Sequence, residues 1–276
     1  MGMKQRILGF IGGGNMAGSL IGGLIADGYA PADIWVSDPD PAKLKELASR
    51  FGVHTDPDNE RVAEQADILI LAVKPQILQA VAAAMADRVQ RRRPLVISIA
   101  AGITESALER WLGGSLAIVR CMPNTPALVK TGATALHANP RTTAEHRNQA
   151  EAILRAVGLT VWVDQEAALD AVTALSGSGP AYFFLVMEAM EAAAVELGLE
   201  RATARLLTQQ TALGAARIAI ESEEPPAALR ERVTSPGGTT ERAILAFERG
   251  DLRGLVKTAM RAAAERAAEL SAQLGS

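Results

Sequence analysis

Short apolar runs alternate with amphipathic segments along the first half of the chain. The runs at 7–11, 68–73 and 95–99 are almost wholly apolar, which is typical of parallel strands buried on both faces. Because segments with helical spacing of apolar residues lie between such runs, the pattern predicts a doubly wound α/β sheet that ends near residue 163. The predicted strands are Ile7–Ile11, Asp33–Asp38, Ile68–Val73, Leu95–Ile99, Ala117–Arg120, Thr134–Leu136 and Thr160–Val163, and the predicted helices are one from Ala17 to Gly28, Pro41–Phe51, one ending near Gln90, Glu105–Leu112 and Ala144–Val157, with a loop at His54–Asn59.

From about residue 164 the apolar spacing is helical throughout. The long helices carry much apolar surface for one small domain, which favours burial against a second copy of the chain over a monomeric bundle. We therefore expect an α/β domain over residues 1–163 and an all-helical dimerisation domain over residues 164–276. The predicted helices of this half are Ala181–Leu199, Glu200–Glu221, Pro226–Val233, Thr239–Arg249 and Leu252–Leu274.

A glycine-rich turn joins the first strand to the first helix. Gly12 permits a tight turn, Gly14 lets the backbone approach a diphosphate, and Ala17 is small enough for the helix to pack on the strand. The start of the helix offers free N–H groups and the positive end of its dipole. This order of strand, turn and helix predicts a dinucleotide site in a Rossmann-type domain, and the alternative is a glycine-rich turn without a ligand.

Further cofactor contacts are expected where parallel strands end, because ligands of such sheets bind there. Asp38 ends the second strand, where an acid would bind the adenine ribose hydroxyls and repel a 2′-phosphate, which favours NAD. A turn ahead of a proline is the alternative for this residue. Ser37 or Asn59 could equally bind a phosphate, so the choice between NAD and NADP stays open. The other candidate contacts follow the next strands, at Ala72, Val73, Lys74, Pro75 and Gln76, and at Ala100, Ala101 and Gly102.

Composition narrows the class of protein. Of 276 residues 49% are hydrophobic and only 4% aromatic, and a net charge of −3 gives no basic surface for nucleic acid. A single cysteine, Cys121, suits a reducing compartment. The first strand begins too early to leave room for a signal peptide, and the glutamates within 181–199 argue against a membrane span. We expect a soluble cytoplasmic protein with no metal, membrane or nucleic-acid partner.

The helical half carries few groups that transfer protons. It contains no histidine and no cysteine, one lysine, Lys257, and one tyrosine, Tyr182. An alcohol dehydrogenase needs a base for the hydroxyl proton, whereas a protonated imine accepts hydride without a protein acid. This scarcity favours reduction of C=N over C=O. A break at 233–241 predicts a nest of N–H groups at Gly237 and Gly238 that suits a carboxylate, with Thr239 adding a hydroxyl.

Six motifs in the same order resemble those of the pyrroline-5-carboxylate reductase family. The resemblance implies reduction of 1-pyrroline-5-carboxylate to L-proline with NADP or NAD, and interlocked dimers, which in many members assemble five to a ring. It implies that Thr240 bonds the ring nitrogen, with Glu223 and the segment Ser235, Gly237, Gly238, Thr239 and Thr240 around the substrate, and that Asn15, Met16, Asn59 and Ile99 join the cofactor contacts. The matching segments are 10–16, 72–75, 98–102, 122–126, 176–182 and 233–240.

Two other readings compete with that resemblance. A β-hydroxyacid dehydrogenase shares the two-domain plan but would need a catalytic lysine near residues 170–185, and no lysine occurs between Lys130 and Lys257. A non-catalytic nucleotide-binding scaffold would leave the polar loops at 123–126 and 235–240 without a purpose.

Overall fold

The computed structural model describes residues 6–275, which include one eight-stranded sheet. Its strands follow the spatial order β3-β2-β1-β4-β5-β6-β7-β8, and all neighbouring pairs are parallel except β6 with β7. The order reverses beside β1, as in doubly wound dinucleotide-binding folds. The strands are β1 (Leu8–Ile11), β2 (Ile34–Ser37), β3 (His54–Asp56), β4 (Ile68–Leu71), β5 (Leu95–Ser98), β6 (Ile118–Met122), β7 (Gly132–Ala138) and β8 (Gly158–Trp162).

Helices connect these strands and then take over the chain. Short 3₁₀ segments lie at Pro31–Asp33 and Thr125–Val129, and a π-helical turn at Thr173–Gly177. The α-helices are α1 (Asn15–Ala26), α2 (Pro41–Phe51), α3 (Asn59–Gln65), α4 (Pro75–Arg92), α5 (Glu105–Trp111), α6 (Ala144–Arg155), α7 (Ala168–Val172), α8 (Gly179–Glu196), α9 (Arg201–Glu221), α10 (Pro226–Arg232), α11 (Thr239–Arg249) and α12 (Leu252–Leu274).

The two faces of the sheet bury two separate apolar cores. Leu8 and Phe10 pack with α1 and α6, whereas Ile11, Leu69 and Leu71 pack with α3, α4 and α5. Successive strand residues point to opposite faces, so an almost unbroken apolar run covers both cores. Such burial on both faces explains why these strands could be predicted from hydrophobicity alone.

Several segments differ from their prediction. The prediction of a loop at His54–Asn59 is wrong, because His54–Asp56 pairs with β2 and Asn59 begins α3. Strand β3 has only one buried residue, Asp56, so it has no apolar signal and forms through backbone pairing at the sheet edge. The pattern also did not predict α7 or the π-helical turn after it.

The chain divides into two compact units, residues 6–178 with 263–275, and Gly179–Ala262. The predicted domain boundary after residue 163 follows the end of β8 and stays a prediction. Within the second unit many large apolar side chains are exposed, among them Phe183, Phe184 and Leu206. No helix in the described part of the chain is both long and apolar enough to cross a membrane.

Candidate active site

The ends of the central strands lie side by side. Ile11 pairs with Ser37 on one side and with Leu71 on the other, and Leu71 pairs with Ser98. The residues that follow each strand therefore emerge at one edge of the sheet. This register brings together the predicted cofactor positions Gly12, Asp38, Ala72 and Ile99.

The first glycine loop has the conformation that its glycines predict. Gly12 has φ +102°, and a Cβ there would lie 2.7 Å from the carbonyl oxygen of Ala72, so no other residue fits. Gly14 precedes α1 with an ordinary φ of −77°, and no atom lies within 4 Å of the place where its Cβ would be. A side chain at Gly14 would therefore fill open space at the helix start rather than disturb the fold. That cradle fits a diphosphate.

Asp38 is built into this loop. Its Oδ2 accepts a hydrogen bond from the Gly13 N–H (2.9 Å), and its Oδ1 accepts one from the Asp40 N–H (3.0 Å). Lys43, on the first turn of α2, places Nζ 3.4 Å from Oδ2. The carboxylate thus holds the glycine loop as well as facing the strand ends, a role that the spacing did not reveal.

Ser37 occupies a different environment from the one expected of a phosphate ligand. Its side chain is fully buried, and its hydroxyl donates to the Phe10 carbonyl (3.3 Å). The structure therefore gives the Ser37 hydroxyl no open path to a phosphate. Asn59, the other predicted phosphate contact, is half-buried at the first position of α3.

The remaining predicted cofactor residues lie at the same sheet edge or at the start of a helix. Ala72 donates its N–H to Ile11 O (2.8 Å), and Ile99 donates to Leu71 O (3.2 Å), so both strand ends are fixed. Val73 is half-buried and Lys74 is exposed, immediately before α4 begins at Pro75. The others are the exposed Asn15, the half-buried Met16, the buried Ala100 and the exposed Ala101.

A groove of about 560 Å³ opens beside the glycine loop. Gly13, Gly14 and Asn15 line one part of it, and α2 contributes Lys43 and Arg50. The α1 side of the groove is lined by glycines and other small residues, while α2 adds two cations and one anion, Glu46. The groove can therefore accept an anionic ligand that starts at the helix terminus.

The N–H groups of Gly237 and Gly238, predicted as a nest for a substrate carboxylate, both have acceptors within the chain. The Gly237 N–H donates to Glu241 Oε2 (2.8 Å), and the Gly238 N–H donates to Ser235 O (3.0 Å). Both groups are engaged because the loop closes a turn and Glu241 reaches back from the third position of α11. A glutamate at that helical position is a known capping signal, and it is present in this sequence.

The N–H groups of the α11 first turn remain for a carboxylate. Gly238 precedes the helix and has no side chain to cap it, and among the described residues no protein acceptor faces the N–H groups of Thr239 and Thr240. Thr240 is half-buried, whereas Ser235 and Glu223 are exposed on neighbouring loops. These residues all belong to the second compact unit.

Other reactive groups are either buried or part of structural contacts. Burial raises the pKa of the Cys121 thiol far above its usual range, so this residue is a poor nucleophile. Burial and the nearby Glu166 carboxylate raise the pKa of Glu105, whose Oε1 lies 3.1 Å from His137 Nε2 without an aligned hydrogen bond. In the described chain no group of three or more His, Cys, Asp and Glu could hold a metal ion.

Two protein-family models match the chain. Residues 166–270 match the model described as pyrroline-5-carboxylate reductase dimerisation. Residues 7–102 match the model described as NADP oxidoreductase, coenzyme F420-dependent. The first match covers most of the helical half, and the second covers β1 to β5 with the glycine loop.

Individual proteins match over nearly the full length. The pyrroline-5-carboxylate reductase of Pseudomonas aeruginosa is 51% identical over 273 residues, which are 99% of this chain and 100% of that protein. The structure of a pyrroline-5-carboxylate reductase from Coxiella burnetii has a TM-score of 0.93 and 50% identity, covering 97% of this chain and 99% of that one. The Plasmodium falciparum pyrroline carboxylate reductase with NADP bound has a TM-score of 0.86 and 29% identity, covering 98% and 100%.

Proposed function

This chain belongs to the pyrroline-5-carboxylate reductase family, and we propose that its two glycine-rich loops bind the two reactants of that enzyme. It is an oxidoreductase that reduces 1-pyrroline-5-carboxylate to L-proline, the last step of proline biosynthesis, with a nicotinamide cofactor. One observation supports this assignment of one loop to the cofactor and the other to the substrate. It is the open space at Gly14, which lies at the start of α1, on the sheet edge where three other strands also end.

The first loop and its neighbours hold the cofactor in this proposal. Gly12, Gly14 and Asn15 contact the diphosphate, and Met16 lies on the same helix turn. Asp38 and Asn59 contact the adenosine side. The segments 72–75 and 99–101 contact the nicotinamide side, where small side chains leave room for a flat ring. The bound cofactor supplies the hydride that adds to the C=N carbon.

The second loop holds the substrate. We assign the substrate carboxylate to the N–H groups of Thr239 and Thr240, with Ser235 and the exposed Glu223 nearby. The positive end of the α11 dipole favours that anion. The Thr240 hydroxyl bonds the ring nitrogen as it changes from iminium to amine. No protein acid has to donate a proton during hydride transfer, because the protonated imine is already an electrophile.

The chain forms homo-oligomers through its helical half. We propose a dimer as the unit, supported by exposed apolar side chains on α8 and α9 that a second copy would cover. Assembly of five dimers into a ring, and a cytoplasmic location, are further parts of the proposal. The family models and the NADP-bound relative support NADP as a cofactor, and use of NADH alongside it is proposed here.

One assay tests the proposed function. Oxidation of NADPH and of NADH is followed with 1-pyrroline-5-carboxylate, with no substrate, and against a β-hydroxy acid with the oxidised cofactors. We expect substrate-dependent oxidation with the imine only, and stoichiometric L-proline by chromatography. Absence of proline with both cofactors, or faster turnover of the hydroxy acid, would contradict it.

A further inference from the structure

Asp38 stands where the acid of an NAD site binds the ribose, but here it is largely withdrawn from solvent. Its side chain is 8% exposed, and each oxygen already accepts one backbone hydrogen bond, from Gly13 and from Asp40. A carboxylate with such donors has part of its charge balanced inside the protein. The negative charge at this position therefore repels a second anion less than a free carboxylate would.

Lys43 adds a full positive charge at the same point. Its Nζ lies 3.4 Å from Asp38 Oδ2 and 3.5 Å from Oδ1. The side chain is 48% exposed, so the ammonium pairs with a buried acid and still presents donors to the groove. An ammonium has three N–H donors, and Asp38 cannot engage all of them in this geometry.

The other cations of the groove are placed differently. Arg50 lies seven residues farther along α2, about 10 Å along the helix axis at 1.5 Å per residue. Lys130, on another wall, lies 3.9 Å from Asp27. Lys43 is therefore the groove cation that contacts the acid at the end of β2, the position that reads the ribose 2′ substituent in dinucleotide folds.

We propose that Lys43 binds the 2′-phosphate of NADPH and determines how strongly this chain prefers NADPH over NADH. Asp38 acts as a positioning residue that holds the glycine loop and orients the lysine. This inference rests on the proposed cofactor site. It explains how a chain with an acid at the end of β2 can accept the phosphorylated cofactor.

The test compares Lys43→Gln with Lys45→Gln in the full-length protein. Lys45 is an exposed residue of α2 that does not line the groove, so it controls for a change of one charge. Equilibrium binding is measured for NADPH and NADH by the fluorescence of the bound nicotinamide. Loss of one partly solvated charge contact should raise the Kd for NADPH about ten-fold in Lys43→Gln. The Kd for NADH, and both constants in Lys45→Gln, should stay near wild type.

Salt dependence and a conservative variant sharpen the test. Binding of NADPH should weaken with added KCl more steeply in wild type than in Lys43→Gln, because screening acts on the contact that the variant lacks. Lys43→Arg should keep most of the NADPH affinity. Equal loss of NADPH and NADH binding would show that Lys43 acts only through the loop and would overturn the proposal, as would unchanged NADPH binding. A wild-type protein that bound neither dinucleotide would overturn the proposed cofactor site itself, and this assignment with it.

Discussion

The two glycine-rich loops share one device. In each, a glycine N–H donates to a carboxylate of the chain itself, Gly13 to Asp38 at 2.9 Å and Gly237 to Glu241 at 2.8 Å. Each loop also leads into the first turn of a helix, α1 or α11. An anion thus lies beside a helix start in both places, one supplied from the end of the neighbouring strand β2 and the other from within the helix.

The two loops differ in how deeply their carboxylates are buried. Asp38 is almost fully enclosed and bonds a second N–H as well, so its carboxylate is a permanent part of the loop. Glu241 is half-buried in the first turn of α11, beside an exposed loop, and makes one such bond. A buried hydrogen bond is costly to leave unmade, whereas water readily replaces an exposed one. The first loop is therefore a fixed cradle, whereas water can take the place of the Glu241 carboxylate at the second.

The largest expected effect comes from filling the fixed cradle. Gly14→Val should abolish measurable cofactor binding by fluorescence titration while the Tm stays near wild type, since the Cβ position is open and φ is ordinary. Gly12→Val is the contrasting variant and should lose stability as well, because its Cβ would meet the Ala72 carbonyl oxygen. Micromolar cofactor binding by Gly14→Val would contradict the assignment.

The second loop should give a smaller effect on the substrate alone. Removing a hydrogen bond to a charged partner costs about 1.5–3 kcal/mol, so Thr240→Ala should lower kcat/KM roughly ten- to a hundred-fold. Cofactor affinity should barely change. Thr240→Ser keeps the hydroxyl and should keep most activity. A fully active Thr240→Ala would reduce this residue to a helix-start position and make Thr239 the better candidate.

Variants of Asp38 test whether its buried carboxylate also discriminates between NADPH and NADH. Asp38→Ser should raise the ratio of kcat/KM for NADPH over NADH by less than about ten-fold, because two backbone hydrogen bonds and the Lys43 ammonium already balance part of the buried negative charge that it removes. It should also lower the free energy of unfolding by about 1–3 kcal/mol, because the buried Gly13 N–H loses its acceptor. Asp38→Asn separates the two effects, since it removes the charge and keeps one acceptor. An unchanged cofactor ratio would leave Asp38 with the structural role only.

Hydrophobic pattern and glycine spacing predicted most of this molecule. The strands β1, β4 and β5 are buried on both faces, and α2 and α11 match their predicted bounds. The missed strand has a clear cause: β3 forms by backbone pairing at an edge, without an apolar signal. Long-range pairing of this kind leaves no mark on local periodicity.

The candidate site was predictable to a similar degree. Gly12 and Gly14 followed from their place between a strand and a helix, because backbone conformation there admits few residues. The errors concern side chains that reach back to the backbone, as Glu241 does to Gly237, or that meet across a turn, as Lys43 meets Asp38. The sequence shows which residue types occur near such points, but it does not show which acceptor binds each N–H group.

The smallest effect should come from a change at Glu241. This change tests most directly whether the carboxylates of the two loops differ in how firmly they are held. Its carboxylate holds an N–H beside the groups assigned to the substrate, so it competes with the substrate anion and adds like-charge repulsion. Glu241→Gln removes the charge while keeping an acceptor. Because like-charge repulsion at an exposed site is worth only about 0.5–1 kcal/mol, the KM for 1-pyrroline-5-carboxylate should fall roughly two- to five-fold with kcat unchanged. Glu221→Gln, at the exposed end of α9, is the matched control and should change neither constant. A raised KM in Glu241→Gln would show that this carboxylate supports the loop as firmly as Asp38 supports the first, and the distinction between a fixed and a displaceable anion would fail.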